Sequence, residues 1–150
     1  MKSWPAQTPS DRETQTATMP IQLNLCAPTR QVAEVEAEYI QIPSAQGKME
    51  VLKNHAPLRC VLEPGVVTCR LEDGSERVFA VSSGLAMIRD NRVLVMADAA
   101  EKGEDIDVAR AEAAMERARE RLHRMGHGVD LARAEAALKR ALARLEATRH

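Results

Sequence analysis

Five arginines in the last third of the chain are spaced so that they can act together. Arg110 and Arg117 stand seven residues apart, and Arg133, Arg140 and Arg144 follow at intervals of seven and four. On a helix such spacings hold each set near one face. A guanidinium offers a planar fork of donors that makes paired, charge-assisted hydrogen bonds to phosphate oxygens. Arginines converging from two helices therefore have the chemistry to hold a triphosphate. Glu101 and Asp107, acceptors when ionised, suit amino or hydroxyl groups instead. Two plainer readings stay open. Asp107 sits in a helix first turn, where the macrodipole favours negative charge, and it can pair with Arg110 at i,i+3. Exposed arginines on Ala-rich helices are also commonly just solvated.

The remaining reactive residues carry less. No Gly-rich phosphate loop, GKS/T motif or Mg²⁺-holding carboxylate pair occurs, so a nucleotide bound here is sensed and not hydrolysed. His123 and His127, four apart, have metal-clamp spacing, but Gly126 and Gly128 interrupt the helix between and beyond them; no metal is expected. Cys26, Cys60 and Cys69 are odd in number and form no CxxC motif, which marks them as reduced core residues on strands. His55 opens a His-Ala-Pro corner made rigid by Pro57. It reads either as a polar interface residue or as a loop histidine bonded to the backbone. No Ser, Cys or carboxylate surrounds it in the sequence, so catalysis is not expected anywhere in the chain.

Two patterns of apolar residues must position these groups. Val108, Ala111, Met115, Ala118, Leu122 and Met125 recur at alternating steps of three and four, and Leu131, Ala134, Leu138, Ala141 and Leu145 repeat the pattern. They predict two amphipathic helices, from Ile106 to about Met125 and from about Asp130 to Arg149. Gly126-His127-Gly128 breaks them into a hairpin. From about residue 20 to 100 the period is two instead. Ile21, Leu23 and Leu25 alternate with polar residues, Glu72-Asp73-Gly74-Ser75 and Arg89-Asp90-Asn91 mark turns, and many short strands result. The fold class expected is therefore mixed, β then α. An antiparallel β-sandwich or flattened barrel spans residues 19–101, and the α-hairpin spans residues 102–150. Residues 1–18, polar and without apolar period, read as a disordered extension, with Met19 a possible alternative start.

Composition narrows the partners. The net charge is −1 and only Trp4, Tyr39 and Phe79 are aromatic, which argues against nucleic-acid binding. No run approaches the ~20 apolar residues of a membrane span. Any membrane association is then indirect.

Taken in order, three segments resemble one family, the epsilon subunit of the F-type proton-translocating ATP synthase, called delta in mitochondria. They are Ala27-Pro28-Thr29-Arg30 after the first strand, Gly47 through Leu58 with Leu62-Glu63-Pro64-Gly65-Val66, and Val81-Ser82-Ser83-Gly84-Leu85 leading through Val93 to Asp98. The central loop departs from the family pattern: Lys48 stands for an acidic residue, Glu50 for a Gly, and Lys53-Asn54 for Pro-Gly. The resemblance implies a non-catalytic central-stalk subunit. Its partners would be the gamma subunit, the membrane rotor ring and, in an inhibited state, the alpha/beta catalytic head. It would sit peripherally on the cytoplasmic side of the inner membrane. Lys48, Glu50, His55, Ala56 and Pro57 would form the partner interface. Some members carry the signature Ile/Leu-Asp-x-x-Arg-Ala, which Ile106, Asp107, Arg110 and Ala111 match without substitution. By resemblance these four, with Glu101, Arg117, Arg133, Arg140 and Arg144, would hold a regulatory ATP, with no other cofactor. If the hairpin opens, the same arginines would face acidic surfaces of the catalytic head and block rotation. The alternative is a free-standing regulatory or adaptor protein that docks through the hairpin.

Overall fold

A computed structural model describes residues 20–124 and 130–149. The expected disordered tail, Met19, Met125 and the Gly126-His127-Gly128 break lie outside the described residues. Ten strands precede the helices: β1 (Ile21–Ala27), β2 (Arg30–Ala37), β3 (Tyr39–Ser44), β4 (Gly47–Val51), β5 (Leu58–Leu62), β6 (Gly65–Arg70), β7 (Glu76–Val81), β8 (Gly84–Arg89), β9 (Arg92–Ala97) and β10 (Ala100–Lys102). They run in the order β10-β7-β6-β3-β5-β8-β9-β1-β2, with β4 added to β3. The sheet folds over on itself and brings β10 near β1 and β2. All pairings are antiparallel except β1 with β9, which is parallel.

Period-two patterning builds the core. Ile21, Leu23 and Leu25 of β1 and Val93 and Val95 of β9 face inward with Ile40, Ile42, Val67, Phe79 and Ile88, all essentially buried. The stretch from Val32 to Ile42, continuous in sequence, breaks at Glu38. β2 pairs with β1, whereas β3 crosses to β4 and β6. The expected turns form where Gly and Asx tolerate left-handed backbone. Gly74 has φ 86°, and Asp90 and Asn91 have φ 51° and 58° between β8 and β9. Asp73 accepts from the backbone N–H and hydroxyl of Ser75, which pulls its carboxyl below the ordinary range.

The three cysteines sit on β1, β5 and β6 as free thiols. Burial pushes Cys69 up to about 12, so it stays protonated and inert.

A single 3₁₀ turn, Gly103–Asp105, leads from β10 into α1 (Val108–Arg124); α2 (Asp130–Thr148) returns antiparallel to it. α1 begins two residues later than the apolar pattern predicts. Asp107 is its N-cap and not a first-turn residue: its Oδ1 accepts from the Arg110 backbone N–H at 3.1 Å. That contact replaces the expected side-chain pairing of Asp107 with Arg110. Val108 and Leu131, at the starts of the two stripes, are exposed, and Ile106 is buried instead.

α2 is buried on two opposite sides. Ala134, Ala141 and Leu145 lie on one side, and Ala143 and Ala147 on the other. The helix packs on α1 and also on β6 and β7, where Ala147 and Leu145 join Val66, Ala80, Ile106 and Ala111 in a second apolar cluster. This explains the unbroken burial of Val66-Val67-Thr68-Cys69: one face of β6 meets the core and the other meets the helix. Small side chains let the two backbones approach.

Candidate functional site

β10 ends at the foot of the hairpin, and this places Glu101 beside α2. Its Oε1 accepts from Arg144 Nε at 2.7 Å, with both side chains about one-third exposed. Next to this pair lies a cavity of about 480 Å³ lined by Glu101, Asp105, Ile106, Asp107, Arg110, Ala111, Ala114, Arg117 and Arg144. The sandwich, the connecting turn and both helices all contribute, so the cavity exists only with the hairpin closed against the sheet.

The structure thus gathers seven of the nine sequence-predicted residues into one wall. Arg140 lines the adjoining space of about 320 Å³, together with Arg117, Arg121 and Arg144. Arg133 lies two turns nearer the hairpin tip on the same helical face and is exposed. Sequence reasoning missed Asp105 and Arg121. The second had a signal: Arg110, Arg117 and Arg121 follow the same seven-then-four spacing as Arg133, Arg140 and Arg144.

Counter-charges are unevenly shared. Among the described residues, Arg110, Arg117, Arg121, Arg133 and Arg140 form no ion pair, whereas Arg119 and Arg124 pair with Glu116 and Glu120 on the same helix. The cavity therefore offers the unpaired guanidinium groups of Arg110 and Arg117 together with the carboxylates of Glu101, Asp105 and Asp107, donors and acceptors of the kind a polyphosphate joined to a base and sugar requires.

The predicted interface residues are spread along β4 and the loop behind it. Lys48, near the start of β4, donates to Glu146 of α2 at 3.2 Å. Glu50 accepts from the Tyr39 hydroxyl at 3.1 Å; burial, then Glu50, raises the tyrosine above its ordinary value. His55 is half-buried in the loop, with Nδ1 2.6 Å from the Ala56 carbonyl oxygen. Ala56 and Pro57 beside it are exposed. Asn54, with φ 65°, donates its backbone N–H to Asn91 Oδ1 at 2.6 Å, which ties this loop to the β8–β9 turn. His123 is exposed on α1, and its proposed companion His127 lies outside the described residues.

One further surface stands out. Val61 and Leu85 are opposite each other on β5 and β8, 57% and 50% exposed, and Met87, Leu94 and Met96 continue the same outer face. A contiguous apolar strip of this kind marks an interaction surface.

A β-sandwich with an arginine-walled α-hairpin packed on it defines the class, a two-part β-then-α protein. Residues 20–103 match the ATP synthase delta/epsilon chain β-sandwich domain, and residues 104–149 match the long α-helix domain of the same chain. The chain is 42% identical over 104 residues to the ATP synthase epsilon chain of Carboxydothermus hydrogenoformans, covering 69% of this chain and 77% of the relative. With that of Moorella thermoacetica it shares 46% over 102 residues, 68% of this chain and 76% of the relative. It also resembles a chain of the Euglena gracilis mitochondrial ATP synthase OSCP/F1/c-ring structure, with TM-score 0.77 and 25% identity, covering 99% of this chain and 91% of that one. The protein belongs to the ATP synthase delta/epsilon chain family, as a non-catalytic epsilon subunit. The adaptor alternative is set aside by a match that spans both halves of the chain.

Proposed function

We propose that this chain is a rotor subunit whose sandwich joins the gamma subunit to the membrane rotor ring, and whose hairpin is an ATP-responsive brake. The observation that carries the reading is the cavity walled by Arg110, Arg117 and Arg144, which needs sandwich, α1 and α2 together. A ligand shifts a conformational equilibrium only through unequal affinity for its states. ATP bound in this cavity stabilises the closed hairpin, because the opened hairpin has no such cavity. Without ATP the bare arginines are free to engage acidic surfaces of the alpha/beta head and stop hydrolysis.

The two contact surfaces follow from the exposed chemistry. The apolar strip centred on Val61 and Leu85 suits gamma, and the loop holding His55, Ala56 and Pro57 suits the polar loops of the ring. No described helix is long and apolar enough to cross a membrane. The chain attaches peripherally, through the complex, on the cytoplasmic side of the inner membrane.

The test replaces Arg110 and Arg140 with Ala, then measures ATP binding by calorimetry and ATPase activity of the assembled complex. Lost binding with stronger inhibition supports the brake. Unchanged values in both assays reduce the arginines to solvated charge, and absence of calorimetric binding at millimolar ATP refutes the reading.

A further inference from the structure

The groove between the helices continues past the proposed ATP cavity, and its chemistry changes along the way. At the sandwich end its wall includes the carboxylates Glu101, Asp105 and Asp107. Toward the hairpin tip the adjoining space is walled by Arg117, Arg121, Arg140 and Arg144 with three alanines, and no carboxylate lines it. Ala114, Arg117 and Arg144 line both spaces, which adjoin as neighbouring parts of the interhelical channel. From Arg110 to Arg121 α1 makes three turns, a rise of about 16 Å.

Counter-charges are unevenly placed along α1. Arg119, on the face opposite the channel, lies 3.6 Å from Glu116, and Arg124, on the channel side but beyond its lining residues, lies 4.0 Å from Glu120. Arg117 and Arg121, which line the channel, have no ion-pair partner among the described residues. Like charges gathered without counter-ions repel, and an anion that enters relieves the repulsion. Arg121 belongs to none of the residues assigned to ATP above.

We propose that the carboxylate-free end of the channel, where Arg121 joins the ATP-assigned Arg117 and Arg140, is a phosphoryl subsite beyond the triphosphate, with Arg121 as its own cation. This rests on the ATP reading of the adjoining cavity. With base and sugar at the carboxylate end, the phosphate chain runs toward the tip and a fourth phosphoryl group reaches Arg121. That group is either the terminal phosphate of a longer nucleoside polyphosphate or a free inorganic phosphate beside bound ATP.

The test titrates the isolated full chain, by calorimetry, with ATP, with adenosine 5′-tetraphosphate, and with ATP in the presence of inorganic phosphate. Arg121→Gln and the charge-matched control Arg119→Gln are titrated alongside. The tetraphosphate is expected to bind about tenfold more tightly than ATP. Arg121→Gln removes that gain and Arg119→Gln retains it. A phosphate-induced rise in ATP affinity that Arg121→Gln abolishes supports the subsite and assigns it to the free anion. Equal affinity for the two nucleotides, with no phosphate effect, overturns the subsite while leaving the ATP site standing. A gain that survives Arg121→Gln, or that Arg119→Gln loses equally, reflects overall charge and also overturns it. Failure of ATP itself to bind overturns both readings.

Discussion

Gly103→Ala separates docking of the hairpin from stability of the sandwich. A Cβ at this position falls 2.7 Å from the Ala147 carbonyl oxygen and 3.2 Å from that of Val78, against 3.4 Å or more for an ordinary contact. Both obstacles are backbone atoms, so no rotamer change relieves the clash and the C-terminal turns of α2 must retreat from β7. Overpacking of this kind costs about 1–3 kcal/mol. Loss of a glycine meanwhile stabilises the chain by about 0.4–1 kcal/mol through the unfolded state. The two effects land in different places. The full clash penalty of about 1–3 kcal/mol therefore falls on docking, a factor of about 5–150 in the closed-to-open ratio. The assay is amide hydrogen exchange: α2 amides near Ala147 should exchange faster by that factor, while those of β1 and β9 do not change. Calorimetric ATP affinity falls in step once the open form is substantially populated. Unchanged exchange in α2 with a lowered sandwich melting temperature would refute the reasoning.

Three further outcomes follow from the same contacts. Leu145→Ala empties a buried position between α1, α2 and the sheet, and should weaken hairpin docking by about 2–3 kcal/mol with little change in sandwich melting, read by the same exchange experiment. Lys48→Glu places like charge against Glu146 and should weaken docking by about 0.5–1 kcal/mol; the effect should fade in high salt and reverse in the Lys48→Glu, Glu146→Lys double variant, as a double-mutant cycle measures. Cys69 is held up at about 12 against 9.0 for a free thiol, so the unfolded chain ionises first as pH rises. Stability from this source is intact below pH 9 and declines toward 12; Cys69→Ala should flatten the slope in denaturant titrations.

How far the sequence speaks depends on how local the cause is. The β1 and β9 cores, the Gly74 and Asp90-Asn91 turns and the nucleotide-type residues of α1 follow from period, turn chemistry and spacing within a few positions. The break at Glu38 did not, because β2 and β3 keep the same alternation while changing partners. Ala143 and Ala147 escaped notice because alanine carries almost no hydrophobic signal, and only the sheet opposite gives them a burial face. The Lys48–Glu146 and Glu101–Arg144 pairs join residues 98 and 43 positions apart. Nothing in either segment alone indicates the other. Arg121 was legible in principle, since its spacing repeats that of α2, but its place beside Arg140 and Arg144 becomes evident only once α2 is packed against α1.

The clasp between Asn54 and Asn91 has a mechanical consequence. It anchors the His55 loop to the turn that joins β8 and β9, and the outer faces of those two strands carry the apolar strip. In the rotor role proposed above, force entering at the loop passes into strands that already bear the opposite contact, with lateral hydrogen bonds to β1 and β5 spreading it. No hinge interrupts that path. The sandwich would transmit torque as a stiff key, leaving all of the subunit's compliance to the hairpin.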